Sequence, residues 1–208
     1  MIEKISTKIL NILSNENDDE TQREILLFGI TRIVEDVPKY IAIIIICAAL
    51  GVLKEFALFM LVTIMYKTFT GGVHLHTNIG CFVVTIISTL MCIYLPKFMV
   101  EFQSMLTPFY IFVYIFSLYI IWIYVPADVP EIPVINEKRR KRDKILSLVM
   151  LNVLFLVSFI FLDSAVSICI VMMTILEIDL MTTRTFYRLF KNEYGYETYI
   201  PDELLMTE

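Results

Sequence analysis

Apolar residues in this chain gather into long runs, and charged residues gather in the gaps between the runs. A helix that spans a membrane needs about 20 mainly apolar residues, within a range of about 17–25. The pattern therefore predicts an all-α, polytopic membrane helix bundle with about six transmembrane segments. The predicted segments are Pro38–Leu53, Glu55–Tyr66, Ile79–Leu95, Met105–Val125, Ile145–Leu162 and Ser164–Met181. The second is short, so we expect it to be thin, tilted or broken.

The N-terminal region, residues 1–36, shows a helical rhythm of apolar positions on both sides of an acidic break. Amphipathic helices of this kind either lie in the membrane interface or dock on the bundle, and the pattern leaves both open. The chain is thus predicted to be one integral membrane domain. It would consist of this amphipathic region, a bundle over 37–181 and a tail over 182–208.

Composition supports the membrane assignment. Apolar residues make up 58% of the 208 residues, whereas soluble domains have about 45–50%. The net charge of −5 says little about partners, because the placement of Lys and Arg carries the information in a membrane protein. With six spans and a cytoplasmic N-terminus, only Lys54 and Lys97 of the 17 basic residues face outward. This predicts that both termini are cytoplasmic.

The segment Lys67–Cys81 holds the residues with the clearest chemical potential. It contains both histidines, three of the six glycines and the single cysteine outside a uniformly apolar run. A thiol and an imidazole form a nucleophile–base pair, and a helix N-terminus favours the thiolate. The other three cysteines, Cys47, Cys92 and Cys169, are expected to act as small apolar residues.

The spacing of the pair sets a structural condition. His74 and Cys81 are seven residues apart, which on one continuous helix would separate them by about 10 Å along the axis. Contact therefore requires the chain to fold back, and Gly71, Gly72 and Gly80 supply the freedom to do so. His76 competes with His74 for the role. From the residues alone, catalysis, metal or haem binding and a structural loop all remain open.

Two motifs together resemble a known family. The stretch GGVHLHTNIGC, with Gly72, His74 and Cys81 at the pattern positions, resembles the signature of the accessory gene regulator B (AgrB) family. The stretch YVPADVPEIPVINEKRRKR, residues 124–142, is similar to the family's Pro-Ala-Asp segment and basic run. The family often has Arg where this chain has Lys67; the charge is kept, but bidentate carboxylate binding is not.

The resemblance implies a function. Members are bacterial membrane cysteine endopeptidases that cleave the precursor of a cyclic quorum-sensing peptide, which often regulates virulence. It implies that Cys81 is the nucleophile, that His74 is the base and that a thioester intermediate leads to a thiolactone or lactone. The expected partners are an AgrD-like precursor peptide and the lipid bilayer of the cell membrane, and a homodimer is a further candidate. We expect no cofactor, metal or nucleic acid.

Several further residues, Gly72 among them, are candidates for substrate binding. Lys67 can bind a carboxylate or stabilise an oxyanion, or extend to the membrane surface. Asn78 can orient an imidazole or form a local turn. The basic run that includes Lys138, Arg139 and Arg140 can dock an acidic precursor tail or anchor the loop on anionic lipids.

Three acidic residues are harder to assign from the sequence. Asp128, in the Pro-Ala-Asp stretch, is expected to have a turn role. Glu177 and Asp179, near the end of the last apolar segment, are either functional or reach the headgroups.

Two other readings compete with the peptidase. In a small transporter, the glycine-rich segment would be a broken helix that lines a pathway. In a peptide-export scaffold, the segment would be structural. A thiol-reactive probe separates them, because a peptidase should label preferentially at Cys81 and a transporter has no reason to do so.

Overall fold

The part of the chain that the structure, a computed structural model, describes is mainly helical; it comprises residues 2–13, 20–73, 75, 77–130 and 133–198. An isolated β-bridge pairs Gly71 with Ala127, and the described residues form no β-strand. The all-α class is thereby confirmed. The helices are α1 (Ile2–Leu13), α2 (Glu20–Ala49), α3 (Leu53–Thr70), α4 (Asn78–Met99), α5 (Gln103–Tyr124), α6 (Glu137–Phe161), α7 (Ala165–Thr182), α8 (Arg184–Leu189) and α9 (Gly195–Thr198).

Four of the described helices, α4 to α7, are long and apolar enough to cross a membrane. They have 22, 22, 25 and 18 residues, and their apolar length meets the requirement of a bilayer core. The membrane helix bundle is therefore confirmed. Of the other two predicted segments, Glu55–Tyr66 lies within α3, and Pro38–Leu53 lies mainly in α2 but extends past its end at Ala49. Both helices also carry charged residues, so the number six stays a prediction.

The first of two compact units covers residues 1–53. Its helix α1 packs against α2, and Ser6 and Leu10 are buried. Ile5, Ile12 and Leu13 of the predicted apolar stripe are exposed. An exposed apolar stripe is typical of a helix that lies in a membrane interface. The interfacial position of α1 stays a prediction. The division of the chain into 1–36, 37–181 and 182–208 also stays a prediction.

Helix α2 joins two parts of the chain that the sequence pattern separates. It runs without a break from Glu20 to Ala49 and contains Pro38. Proline removes one helical hydrogen bond, yet membrane helices tolerate it because neighbouring groups satisfy the freed carbonyl. The second amphipathic stripe and the first apolar segment are therefore one helix.

Helix α3 is a continuous helix of 18 residues, longer at both ends than the predicted segment Glu55–Tyr66. At 1.5 Å per residue it is about 27 Å long. Phe59, Val62 and Tyr66 are buried along one side of it. An ion pair of 3.1 Å between Lys97 Nζ and Glu55 Oε1 joins the start of α3 to the end of α4, so these two helices run antiparallel.

The second unit, residues 54–208, is built around α7. This helix packs against α4, α5, α6 and α8, and its sequence is apolar on all sides, as a central helix requires. The core combines α7 with α3, α5 and α6. Its buried residues are Val62, Tyr66, Val113, Ile121, Val125, Leu151, Leu154, Val171, Met172, Ile175 and Ile178.

One end of this bundle gathers the segments that carry chemistry. The chain between α3 and α4, the loop between α5 and α6, and α8 with α9 all meet there, in a cluster that includes Val73, Ala127, Tyr187 and Tyr194. Asn136 caps α6 by accepting hydrogen bonds from the amides of Lys138 and Arg139. The cap ends the loop and directs the basic run into the helix.

Candidate functional site

Cys81 lies in the first turn of α4. Thr77 caps this helix, and its hydroxyl accepts a hydrogen bond from the amide of Gly80 at 3.2 Å. The Cys81 amide donates to the Thr77 carbonyl at 2.9 Å. The Cys81 thiol is free and half-buried, whereas Cys47, Cys92 and Cys169 are free and fully buried. Among the four cysteines, Cys81 is thus best placed to meet a substrate, and it sits where a helix favours negative charge.

A backbone pairing connects the two motifs that stand out in the sequence. The Ala127 amide donates to the Thr70 carbonyl at 2.8 Å, and the Gly72 amide donates to the Ala127 carbonyl at 2.9 Å. These bonds form a parallel bridge between Gly71 and Ala127. The Pro-Ala-Asp stretch is therefore part of the structure that holds the glycine-rich segment.

The pairing requires glycine at two positions. Gly71 has φ of +76° and Gly72 has φ of +138°, values that residues with a Cβ rarely adopt. A Cβ built on Gly71 would lie 2.1 Å from the Ala127 carbonyl oxygen. Gly71 and Gly72 thus use the conformational freedom of glycine ahead of His74, while Gly80 is helical. The fold-back between His74 and Cys81 stays a prediction.

A second hydrogen bond ties this segment to the end of α7. The Val73 amide donates to the Met181 carbonyl at 3.0 Å, and the Val73 side chain is buried. Residues 71–73 are therefore held between the Ala127 loop and α7. His74 follows directly in the sequence.

Asp128 is a buried anchor of the loop between α5 and α6. Its side chain is 1% exposed, and Oδ2 accepts from the Val134 amide at 2.8 Å and from Arg140 Nη1 at 3.3 Å. Its carbonyl accepts from the Tyr187 hydroxyl at 3.0 Å. A buried carboxylate needs such partners. Beyond the expected role within the loop, Asp128 forms an ion pair with Arg140.

These two motifs lie within the part of the chain that a family model matches. The model described as accessory gene regulator B matches residues 5–182. The chain belongs to the accessory gene regulator B family. The resemblance drawn from the two motifs is therefore confirmed, and membership assigns the protein to the accessory gene regulator quorum-sensing system in the membrane.

Three relatives agree with the family assignment. The chain is 27% identical over 157 residues to AgrB-like protein 2 of Clostridium perfringens strain 13, covering 74% of this chain and 73% of that protein. It is 33% identical over 124 residues to AgrB-like protein 1 of the same strain, covering 59% and 64%. A Clostridium beijerinckii AgrB-like protein is 26% identical over 160 residues, covering 76% and 79%. No solved structure matches the chain.

The structure places some of the residues expected from the family pattern and leaves others untested. His74 and His76 lie outside the described residues, so the contact between Cys81 and His74 stays a prediction. Lys67 is in the last turn of α3, and its Cε lies 3.8 Å from where a Cβ on Gly72 would be. Asn78 is exposed at the start of α4. Substrate roles for Lys67, Gly72 and Asn78 stay predictions.

The three basic candidates of this AgrB-family chain divide into two kinds. Arg140 is engaged within the protein: besides Asp128, it donates to the carbonyls of Val134 and Pro126. Its guanidinium also lies 4.2 Å from the centre of the Tyr196 ring. Lys138 is exposed, and Arg139 is exposed and pairs with Asp143 at 3.6 Å. Docking of an acidic peptide is thus more compatible with Lys138 and Arg139 than with Arg140.

Two tyrosines beyond the region matched by the family model complete this end of the bundle. The rings of Tyr187 and Tyr194 stack 4.2 Å apart, and the Tyr194 hydroxyl donates to the Thr182 carbonyl. Burial raises the pKa of Tyr187 above its usual range, and Tyr194 and Asp128 nearby raise it further. Burial also raises the pKa of Tyr194. The aromatic residues that cluster after α7 in the sequence are the signal that could have indicated the packing of Tyr187 and Tyr194 at this end of the bundle.

Asp179 does not reach the headgroups, which was one of its two expected roles. It is fully buried in α7. Its Oδ1 accepts from the Tyr66 hydroxyl at 2.8 Å and its Oδ2 from the Ser117 hydroxyl at 2.5 Å. The carboxyl group therefore links α3, α5 and α7 inside the bundle, near the end that carries the site.

Proposed function

We propose that this protein is a membrane cysteine endopeptidase that processes an AgrD-like precursor peptide into a thiolactone or lactone. The main support is the setting of Cys81: a half-buried free thiol in the first turn of α4. A glycine-rich segment held by Ala127 and Met181 leads toward it. Residues that act together in acyl transfer need this kind of preorganisation.

The first half of the reaction is acylation. The Cys81 thiol gives its proton to His74 and attacks the scissile carbonyl carbon, which becomes tetrahedral. The ammonium of Lys67 and the positive end of the α4 dipole stabilise the oxyanion. The carbon–nitrogen bond then breaks, His74 protonates the leaving amine, and the C-terminal fragment departs. The retained peptide is left as a thioester on Cys81.

The second half is ring closure. A thiol or hydroxyl within the retained peptide attacks the thioester carbonyl, and its proton passes to the departing Cys81 sulfur through His74. The bond to Cys81 breaks, so the enzyme returns with its thiol intact. A site that excludes water favours closure over hydrolysis. The apolar residues of α7, which packs against α4, would provide such surroundings.

The proposal includes an orientation in the bilayer. The protein crosses the cell membrane several times with both termini in the cytoplasm, so the site would act at the cytoplasmic surface. Exposed Lys138 and Arg139 would then attract the acidic part of the precursor. Reversing both charges should reduce precursor cleavage while the accessibility of the termini to a membrane-impermeant protease stays unchanged.

The central test compares two cysteines on one helix. Cys81→Ala and Cys92→Ala are reconstituted in phospholipid vesicles with the precursor peptide, and cleavage is followed by mass spectrometry. We expect Cys81→Ala to abolish both cleavage and a hydroxylamine-sensitive adduct. Cys92→Ala, which alters a buried residue, should retain both. Cleavage by Cys81→Ala at the wild-type rate would refute the assignment.

A further inference from the structure

A groove of about 210 Å³ opens between α4, α7 and α8. Its lining is almost entirely apolar. It includes Val84, Ser88 and Met91 from α4, Met173 and Met181 from α7, and Phe186 from α8. The polar groups of Ser88 and Glu177 satisfy each other there, since the hydroxyl donates to Oε1 at 2.5 Å. The groove therefore suits an apolar ligand group.

The groove begins close to the candidate nucleophile. Val84 and Ser88 follow Cys81 by three and seven residues in α4, and residues at these spacings share one helix face. With a rise of 1.5 Å per residue, Val84 lies about 4.5 Å and Ser88 about 10 Å beyond Cys81 along the axis. A peptide bonded to Cys81 can reach the groove with the side chain nearest the bond.

The groove is also continuous with the segment that leads to His74. Met181 contributes to the groove wall, and its carbonyl accepts the hydrogen bond from the Val73 amide. A Cβ on Gly72 would lie 3.7 Å from the Met181 Cβ. One residue thus forms part of both the groove and the support of the glycine-rich segment.

We infer that this groove is the subsite for a large apolar side chain, such as Leu, Phe or Met, on the substrate residue that supplies the scissile carbonyl. The inference rests on the proposed peptidase function. An apolar cavity of about 150 Å³ binds benzene, so the groove is large enough for an aromatic ring. An acidic side chain or a lipid headgroup would lose its hydration there without a partner. A filled groove also keeps water from the thioester.

Burial of one such side chain is expected to favour the substrate by on the order of 10- to 100-fold over one with Ala at that position. The test uses acetyl-Ala, acetyl-Leu and acetyl-Phe chloromethyl ketones on the full-length protein in phospholipid nanodiscs. The thiol sulfur bonds to the methylene carbon, chloride leaves, and the thiol proton passes to solvent. The alkylation rate at Cys81 is measured by mass spectrometry, and the Leu and Phe probes should react at least about 10-fold faster than the Ala probe.

Two variants fill the groove and one is a control. Val84→Trp occupies the groove next to Cys81 and should bring the Phe-to-Ala rate ratio near one. Ile87→Trp, at a position that also lines the groove and is 60% exposed, provides the same test if the first variant misfolds. Val83→Trp adds the same bulk to the neighbouring residue, which is 46% exposed, and should keep the wild-type ratio. Because Val83→Trp is measured with the same probes in the same nanodiscs, it also controls for differences between the probes in partitioning into lipid.

The outcomes separate this inference from the proposed function. A ratio that stays at the wild-type value in both groove-filling variants overturns the subsite and indicates that lipid acyl chains cover the groove. Failure of the peptidase proposal has a different signature: iodoacetamide would not select Cys81 over the other cysteines of the wild type, and Cys81→Ala would still cleave precursor.

Discussion

The Gly72 amide and the Ala127 carbonyl are joined by a hydrogen bond of 2.9 Å. Through this contact the glycine-rich segment and the Pro-Ala-Asp loop, which belong to different parts of the chain, form one structure. The path of the backbone toward His74 therefore depends on residues that are not themselves candidates for chemistry.

Replacing Gly71 tests this dependence. Gly71→Ala places a Cβ where the Ala127 carbonyl oxygen lies and forces a positive φ on alanine. We expect a loss of about 2 kcal/mol or more in the free energy of unfolding and a drop in precursor cleavage of at least tenfold. Denaturation in mixed micelles and the cleavage rate in vesicles measure the two effects.

Gly29→Ala is the matched control for this substitution. Gly29 is inside α2, and a Cβ there would meet nothing within 4 Å. Alanine should stabilise that helix by about 0.5–1 kcal/mol. Equal effects of the two substitutions would show that the Gly71–Ala127 approach does not constrain the segment.

The ion pair between Asp128 and Arg140 should be strongly coupled. Asp128 is almost fully buried and Arg140 is one-quarter exposed, so removal of either partner leaves a charge with poor solvation. A double-mutant cycle with alanine at both positions should give a coupling of about 1–3 kcal/mol. The exposed pair Arg184–Glu197 is the control cycle and should give less than about 1 kcal/mol. Similar coupling in both cycles would contradict the anchor role of Asp128.

The hydrogen bonds to Asp179 should contribute to the stability of the bundle. Tyr66→Phe and Ser117→Ala each remove one donor to a buried carboxyl group, which we expect to cost about 1–3 kcal/mol each. Tyr119→Phe alters an exposed tyrosine on α5 and should change stability by less than about 0.5 kcal/mol. The three variants are compared by denaturant unfolding in the same micelles. Stability unchanged in Tyr66→Phe would show that the network is not structural.

The stacked tyrosines predict a loss of stability at alkaline pH. Because burial raises the pKa of Tyr187 and Tyr194 in the folded state, the unfolded chain releases their protons first. Their contribution is complete below the ordinary tyrosine pKa of about 10 and declines as the pH rises above it. The double variant Tyr187→Phe, Tyr194→Phe should weaken this decline between about pH 10 and 12. A decline as steep as in the wild type would assign the effect to other groups.

Local sequence patterns predicted much of the molecule, because they depend on properties of single residues and of residues close together in the chain. The apolar runs identified α4 to α7, since a bilayer core selects for length and hydropathy alone. The glycine pair marked two positions of positive φ, since positive φ depends on a single residue. The apolar segment predicted to start at Pro38 is part of a longer helix, α2, because a proline can be accommodated inside a membrane helix when its surroundings satisfy the backbone.

The sequence by itself determined the all-α membrane class, the family and the choice of Cys81 as the candidate nucleophile. Only the tertiary structure decided that Ala127 supports Gly71 and Gly72, that Arg140 binds Asp128, and that Asp179 is buried between α3, α5 and α7. Hydropathy and motif spacing are properties of neighbours along the chain, whereas these contacts join residues far apart in it. Their partners depend on how the helices pack, and packing is a property of the whole fold.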